Sequence, residues 1–491
     1  MKVLRYCLLV IFSIASVIIY ARVYAYSIND DLELKGEIQA RVSVRTSDSE
    51  GYTSPEIAKG NLVQQRNLAL IELNDVLSRP SETTPDLKFH IVGRFLYDGV
   101  YDYGPEALQQ LRETNKVAID DMSKSDKLWE CYLDYGQGPW FFRIGKQNLS
   151  FGETDIFQVL DRINPLDNTF GGTFEDLDDR RIPIWMIRGN YNFGKVGPVS
   201  SLTMEGFLNP GWNGQEVAPF APLGTPYAYP SPPSSVPLRL HDPDATFQNS
   251  RMGARVTGVV NDTFNISLAH FQTIVDTPAP VVTIDPTVTG NVAEDLTYKT
   301  EQVSGASMSF FEPHIEAIIR TEAAYFWDEP VFIPQINAPA LYGKFVTGSV
   351  PEKDVFRYMV GLDKNFWFRL INDTSMINLY LQYFAESYQD YDSRMKIPVN
   401  SYPSGAFIEQ PRYDQKFTLV TSTTYMSGTL TPQLAIIWDP RGAFLYIPSI
   451  EKTFQPWIFK LSYYLMTGDR DVSVGILKDR QQVTLQASLV F

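Results

Sequence analysis

Hydrophobic and polar residues alternate one by one in stretches of roughly ten residues along most of the chain. The C-terminal stretch places Val483, Leu485, Ala487, Leu489 and Phe491 on one face and Gln482, Thr484, Gln486 and Ser488 on the other. Because neighbouring side chains of a strand point to opposite faces, this pattern predicts strands that are apolar on one side only. Strands of this length can cross a bilayer, and they must close into a barrel because lipid offers no partners for unpaired backbone groups.

The alternation predicts an all-β protein, a transmembrane antiparallel β-barrel of about 18 strands. A count of 16 is the alternative, because the alternation slips within 66–78 and only Asp439-Pro440-Arg441 separates the two stretches within 431–450. The predicted strands are 34–46, 66–78, 87–98, 128–135, 140–148, 184–193, 199–208, 251–260, 263–274, 299–311, 314–326, 355–363, 375–386, 415–427, 431–438, 442–450, 455–467 and 481–491.

Connections between these stretches are short and long in turn. We expect long loops at 47–65, 99–127, 149–183, 209–250, 275–298, 327–354 and 387–414, and tight turns at 136–139, 194–198, 261–262 and 427–429. Short periplasmic turns opposite long extracellular loops are typical of outer-membrane barrels. The alternative is a soluble, secreted all-β protein, which would bury its apolar strand faces against a second sheet.

The N-terminus indicates export. Lys2 and Arg5 precede an apolar run over 6–20, and Val23-Tyr24-Ala25 offers the small residues of a cleavage site. We therefore predict a signal peptide at 1–25 and an outer-membrane barrel at 26–491, with an uncleaved anchor helix as the alternative to the signal peptide. Only about eight residues would then precede the first strand, so we expect no plug domain of the kind TonB-dependent transporters carry.

Composition supports this location and excludes some partners. The chain holds 27 Tyr, 30 Phe and 8 Trp, as expected for aromatic girdles at two membrane interfaces. Its net charge of −15 argues against binding nucleic acid, and the one cysteine after the leader, Cys131, cannot form an internal disulfide. The expected partners are outer-membrane lipid, lipopolysaccharide, the barrel-assembly machinery through the C-terminal strand, and periplasmic or inner-membrane transport proteins.

The third long loop, 149–183, is the candidate pore constriction. Thr154 can cap a helix from Asp155 to Arg162, whose apolar side would pack the loop against the inner wall. The alternative is that the loop's acids face outward and bind divalent cations, or bind nothing. The predicted constriction residues are Arg143, Gln147, Glu153, Asp155, Asp161, Arg162, Glu175, Asp176, Asp178, Asp179 and Arg188.

The inner wall should carry charges of both signs. Rings of fixed charge set ion preference in pores, but here the two signs nearly balance and many side chains could pair with each other, so the sequence leaves selectivity open. The predicted basic wall residues are Arg41, Arg45, Lys88, Arg94, Arg251, Arg255, Arg320, Arg357 and Lys460, and the predicted acidic ones are Glu37, Asp98, Glu130, Asp134, Glu205, Glu316, Glu322 and Asp363.

The sequence gives little evidence of a catalytic site. His90, His241, His270 and His314 lie in no metal-binding spacing and beside no recognisable nucleophile motif. We therefore predict no enzyme activity, no metal and no cofactor, and keep a surface hydrolase only as a minor alternative.

Two blocks of sequence resemble a known family. The segments 143–155, 160–168 and 181–189, with a second block at 358–372, resemble a large proteobacterial outer-membrane family defined only as a domain of unknown function. The resemblance implies a porin-like barrel, sometimes thought to work with inner-membrane efflux machinery for hydrophobic compounds. The stretch Arg143–Gln147 is also similar to the alginate-export porins, which are 18-stranded and use an electropositive lumen.

Three functional hypotheses follow from the sequence. The first is a channel for passive or partner-coupled passage of small or extended solutes. The second is a conduit for hydrophobic compounds or lipids, whose lumen would show a continuous apolar lining. The third is a structural or adhesive barrel with a filled lumen, which would pass no current.

Overall fold

The computed structural model describes residues 26–27, 30–48, 57–211, 214–228, 236–288, 290–400, 407–472 and 474–491. The predicted leader, 1–25, lies outside these residues. None of the helices in the described ranges is long and apolar enough to cross a membrane.

Eighteen long antiparallel strands form one sheet, and a two-residue strand, Tyr26–Ser27, pairs at its first strand. In chain order the eighteen are β1 Leu32–Arg45, β2 Leu62–Ser78, β3 Asp86–Asp98, β4 Lys124–Gln137, β5 Trp140–Gln147, β6 Ile184–Val196, β7 Val199–Asn209, β8 Arg251–Val260, β9 Phe264–Ile274, β10 Thr300–Glu312, β11 Ala317–Pro330, β12 Glu352–Phe366, β13 Ile377–Tyr388, β14 Tyr413–Ser422, β15 Leu430–Asp439, β16 Ala443–Phe454, β17 Trp457–Gly468 and β18 Gln482–Val490.

The sheet closes on itself. The last strand, β18, pairs with β1 in a register that sets Ala40 opposite Ala487, so the barrel has no open edge. The predicted count of 18 is confirmed, and each predicted strand overlaps an observed one. In β2 the alternation of apolar and polar residues is interrupted at Leu68. This apolar side chain points inward, where long loops bury it. The tight turn after Asp439 joins β15 to β16, so these are two strands as predicted.

The outer surface has the character of a lipid-facing wall. Apolar side chains such as Ile144 and Leu268 are more than half exposed. Aromatic rings contact one another at both rims. Phe417, Trp438 and Phe444 stack at the rim with the long loops, and Trp140 and Tyr191 meet edge to face at the rim with the short turns. Two aromatic girdles around an apolar band are the exterior of a membrane barrel.

The C-terminal strand confirms the predicted alternation. On its polar face, Gln482 and Thr484 point inward and are buried by the long loops. On its apolar face, Val483 is exposed and Leu485 lies beneath helices that pack on the outer wall. No second sheet covers this face in the described part of the barrel, so the soluble sandwich is excluded.

Most of the long connections contain short elements of their own. L2 (residues 99–123) holds three helices: α1 Val100–Tyr103, α2 Glu106–Thr114 and α3 Lys116–Ser123. Leu108 and Ile119 of L2 pack on Val42 and Leu62, which lets L2 cover the outer ends of β1 and β2. L3 (residues 148–183) holds α4 Leu177–Arg180, and the sixth long loop holds α5 Pro334–Asn337.

The remaining short elements lie in the other loops. L4 (residues 210–250) and the next long loop share a three-stranded sheet, and L9 (residues 469–481) ends in a 3-10 helix. The short strands are Leu238–His241, Ala279–Ile284, Val292–Thr297, Lys396–Asn400 and Phe407–Glu409, and the 3-10 helices are Gly172–Phe174, Phe247–Asn249, Pro339–Tyr342 and Gly475–Arg480.

Candidate pore constriction

L3 leaves the end of β5 and folds into the barrel, as predicted. The first half of L3, which we call its body (residues 149–163), buries Phe151, Leu160 and Ile163. These side chains pack on inward-facing apolar residues of β7 to β13, with Phe151 edge-on to both Phe207 and Phe271. The body of L3 is therefore held by close apolar packing on one side of the wall.

The predicted helix from Asp155 to Arg162 is wrong. This segment is irregular and wraps around the carboxylate of Glu322, which accepts hydrogen bonds from the backbone N–H of Glu153 at 2.6 Å and of Leu160 at 2.5 Å. A Cβ on Gly152 would come within 2.9 Å of the Asp161 Cβ, so the turn is tight. Because the wall supplies acceptors for these N–H groups, the segment does not need the hydrogen bonds of a helix.

Charged groups of the body pair with charged groups of the wall. Arg320 donates to Asp155 at 2.7 Å and to Asp363 at 2.8 Å. Arg162 lies 3.2 Å from Glu301, which is fully buried. Arg357 pairs within the wall, with Glu329 and Glu386. These arginines hold L3 and the wall in place rather than lining an open pore.

The second half of L3 reaches the opposite wall, at β1 and β2. We call residues 172–180 the tip of L3. Its Glu175 accepts hydrogen bonds from Arg41 at 2.6 Å and from Arg66 at 2.8 Å, and all three side chains are at least nine-tenths buried. Burial acts to raise the pKa of Glu175, but the two guanidiniums outweigh it and lower that pKa to about 2. L3 therefore spans the lumen between two attachment points.

Acidic side chains of the tip face open space inside the barrel. The side chain of Asp178 is 90% exposed and that of Asp176 is 80% exposed. Asp176 lies 3.8 Å from Lys460 of β17, an inward-facing residue, and Asp178 lies 2.8 Å from Arg181. Asp179 is likewise exposed. These three carboxylates are therefore accessible, although Asp176 and Asp178 each have a basic neighbour.

The wall nearest the start of L3 holds three predicted residues in other roles. Arg143 pairs with Asp134 at 2.7 Å and stacks over a tyrosine ring, and Arg188 pairs with Glu205. Gln147 is fully buried, and its amide donates to the carbonyl of Met186. Gln147 therefore points inward but is buried where L3 packs on the wall, and there it fixes β5 against β6.

Comparison with known protein families identifies the chain's relatives. A family model described as "Protein of unknown function (DUF1302)" matches residues 8–491. The chain belongs to this family. None of the curated protein sequences matches it.

Solved structures of outer-membrane channels are similar to this DUF1302 barrel at low identity. The outer membrane channel DcaP of Acinetobacter baumannii is 10% identical, with 95% of this chain and 99% of that one covered and a TM-score of 0.39. OccAB1 of Acinetobacter baumannii is 10% identical, covering 95% and 97%, with a TM-score of 0.49. OccK9 (OpdG) of Pseudomonas aeruginosa is 9% identical, covering 94% and 98%, with a TM-score of 0.47.

The DUF1302 barrel is an outer-membrane protein, as predicted. Its closed sheet leaves no unpaired edge in lipid, and its exterior is apolar between two aromatic girdles. The similarity to alginate-export porins is not tested by these comparisons and stays a prediction.

Several residues of the site were not predicted from the sequence. Arg66 points inward and binds Glu175 of L3, but the interrupted alternation in β2 hid the orientation of Arg66. Glu301 also points inward and binds Arg162 of L3, for which the sequence indicated no acidic partner. Glu316, predicted on the inner wall, lies instead in the exposed turn before β11. The other basic wall residues do point inward: Arg255 pairs with Glu205, Arg251 binds the L4 backbone, and Arg94 stacks on a tryptophan.

The four histidines lie on separate elements. His90 is on β3 inside the barrel, His270 is on the outer face of β9, and His241 and His314 are in exposed connections. In the described ranges, no group of three or more His, Cys, Asp or Glu residues is arranged to hold a metal ion.

Proposed function

We propose that this barrel is a porin-like channel for small or extended solutes, with L3 as its constriction. The observation that carries the proposal is the position of L3, which crosses the lumen between Glu322 on one wall and the Arg41–Arg66 pair on the other. Because L3 is attached at both ends, it forms a fixed constriction and does not open and close the pore. Passage is passive, or coupled to a periplasmic or inner-membrane partner.

The accessible charge at the constriction is acidic. The wall arginines Arg41, Arg320 and Arg357 are already bound to carboxylates, so they offer little free positive charge to a passing solute. The tip acids Asp176 and Asp178 are exposed. Because fixed charges in a narrow pore set ion preference, we expect the channel to prefer cations.

Conductance in planar bilayers tests the proposal. The purified protein should give discrete current steps, and its reversal potential in a potassium chloride gradient should indicate cation preference. A variant with Asp176→Asn, Asp178→Asn and Asp179→Asn should keep the current and lose most of that preference. Asp121→Asn, on the outer surface of L2, is the matched control and should leave both unchanged. Absence of any current would contradict the channel and favour a barrel with a filled lumen.

A conduit for apolar compounds is the second candidate. The observation that favours it is the apolar inner wall beneath L3, where Phe207, Phe271, Phe326 and Phe384 face inward. If L3 moved aside, these residues would line a hydrophobic path. Transfer of a fluorescent phospholipid between vesicles, faster with the barrel than without it and without ion current, would favour this function over the channel.

A further inference from the structure

A groove of about 460 Å³ opens on the outer wall of the barrel, in the half that lies toward the long loops. Its floor crosses β1, β2 and β3, where Ile38, Ala69 and Phe95 lie side by side in register and point outward. Ala69 is small and stands between two larger side chains, so the wall is recessed along β2. The flanking strands lie two strand spacings apart, about 10 Å, which is wide enough for one hydrocarbon chain.

L2 closes the upper end of the groove. Tyr103 of α1 donates a hydrogen bond to Gln65 on the outer face of β2. Gln65 exchanges two further hydrogen bonds with Asn67, both at 3.2 Å, and Asn67 lines the groove. Because the long loops of such a barrel are extracellular, the groove begins at the level of the lipid headgroups and runs down into the hydrocarbon of the outer leaflet.

A basic side chain, Lys124, stands at the upper end of the groove. Its ammonium lies 5.9 Å from the centre of the Tyr97 ring, and both residues line the groove. Its nitrogen is 3.4 Å from Asp102 and 3.3 Å from Asp120, and Arg112 binds these two acids more closely. The side chain of Lys124 is 35% exposed, so its ammonium has N–H groups left for a ligand.

The carboxylate of Asp126 borders the same floor. Asp126 lies beside Phe95 in register, is exposed, and forms no ion pair with any residue that the structure describes. A carboxylate only accepts hydrogen bonds, so it suits a hydroxyl group of a ligand and repels a phosphate. Lys124, two residues earlier on the same face, attracts a phosphate. The pair therefore fits a ligand that carries phosphate and hydroxyl groups above a hydrocarbon chain.

We propose that this groove binds lipopolysaccharide, with one acyl chain along β2, a phosphate group at Lys124 and a sugar hydroxyl at Asp126. The groove is continuous with the lipid-facing wall and opens in the outer leaflet, so its occupant is a lipid of that leaflet. A phosphorylated glycolipid supplies all three groups in one molecule. The bound lipid would fill the recess beneath L2 and hold α1 against the wall.

Native mass spectrometry of the whole purified barrel, stripped of lipid in detergent, tests this proposal. Rough lipopolysaccharide, dephosphorylated lipid A and phosphatidylethanolamine are added in separate titrations. Wild type should bind one lipopolysaccharide molecule per chain. Dephosphorylated lipid A, which lacks the partner of Lys124, should bind about fivefold less tightly. Phosphatidylethanolamine, which carries a phosphate but no sugar, should also bind less tightly than lipopolysaccharide.

Substitutions in the groove locate the site. Ala69→Phe fills the recess and should weaken binding about tenfold, because the acyl chain loses its contact with the floor. Lys124→Gln should weaken binding of lipopolysaccharide about fivefold and leave binding of dephosphorylated lipid A unchanged. Ala254→Phe is the matched control, because Ala254 pairs with the outward-facing His270 on another part of the wall. It should bind lipopolysaccharide as wild type does.

Three results would overturn the lipopolysaccharide site. The first is a wild-type barrel that binds no lipopolysaccharide. The second is a folded Ala69→Phe or Lys124→Gln barrel, checked by circular dichroism, that binds it as tightly as wild type; the two variants probe the acyl chain and the phosphate separately. The third is equally tight binding of phosphatidylethanolamine, which would assign the groove to phospholipid. None of these results depends on bilayer conductance, so this site and the channel fail independently.

Discussion

The two halves of L3 are held against opposite walls by different interactions. The body buries Phe151 and Leu160 on the apolar side of the barrel, whereas the tip inserts Glu175 between Arg41 and Arg66. Apolar packing depends on shape and is insensitive to salt and pH. A buried ion cluster depends on charge balance, and losing one partner leaves the others unpaired. The body of L3 is therefore fixed by apolar packing together with the ion pairs of Arg320 and Arg162, whereas the tip depends on the buried cluster around Glu175.

Each half also uses one buried glutamate, with the roles reversed. Glu322 belongs to the wall and accepts hydrogen bonds from backbone N–H groups of the loop. Glu175 belongs to the loop and accepts hydrogen bonds from arginines of the wall. Removing the charge of Glu322 leaves neutral donors short of an acceptor, whereas removing that of Glu175 leaves two buried cations. We therefore expect the tip to be the half more sensitive to loss of charge.

Glu175→Gln should have the largest effect. Arg41 and Arg66 would stay buried without a counter-charge, which costs about 3–5 kcal/mol at a site of this kind. The tip should leave the wall and expose the peptide bonds after Arg180 and Arg181, so trypsin should cut the variant in L3 much faster than wild type. Glu82→Gln, in an exposed turn, is the control and should resist trypsin as wild type does.

Low pH should reproduce this effect in wild type. The pKa of Glu175 is lowered to about 2 by the two arginines, so its ionised form favours the folded tip. The stabilisation is complete above the ordinary glutamate pKa of about 4.3 and is lost as the pH falls toward 2. Trypsin is inactive there, so pepsin cleavage of L3 in folded barrels measures the release. Cleavage of wild-type L3 by trypsin at neutral pH, as fast as that of Glu175→Gln, would contradict the assignment.

Leu160→Ala should have the next largest effect, on the body of L3. Leu160 is fully buried against the wall, and truncation of such a side chain costs about 2–5 kcal/mol. Thermal unfolding in detergent should show this loss of stability at any pH and any salt concentration, in contrast to the loss of stability caused by Glu175→Gln at the tip. Leu268→Ala, on the lipid-facing surface, is the matched control and should cost much less. Equal losses in the two variants would mean that the body of L3 does not pack as described.

The sequence predicted the barrel well because its signal is local. A strand in lipid must alternate side chains, so Leu485 and Gln482 report their orientation without knowledge of any partner. The alternation became ambiguous only where the interior is apolar, as at Leu68, because there a loop rather than water covers the inner face. The inward fold of L3 was also predictable, since an apolar loop cannot remain in water.

The details of the site were less predictable because they depend on contacts between distant residues. The apolar run near Leu160 favours a helix in isolation, but Glu322, more than 150 residues later in the chain, supplies the acceptors that remove the need for one. The ion partners of Glu175 lie over 100 residues earlier. Alternation shows which wall residues point inward, but not which of them a folded loop will reach.

Glu322→Gln should have the smallest effect of the three, and it separates the two kinds of attachment most directly. The amide keeps one oxygen acceptor, so one of the two N–H groups, of Glu153 or Leu160, loses its partner. A buried donor left unpaired costs about 1–3 kcal/mol. No buried cation is left without a counter-charge, so the loss of stability should be smaller than that of Glu175→Gln. The measurement is the unfolding temperature of both variants in the same detergent.

Glu316→Gln is the matched control for Glu322→Gln, because it lies in the exposed turn at the start of the same strand and binds no part of L3 in the described structure. It should unfold as wild type does. A Glu322→Gln barrel that loses more stability than Glu175→Gln would reverse the comparison. It would mean that the charge on Glu322 matters more than its two acceptor positions, and that the body of L3, like the tip, is held chiefly by electrostatics.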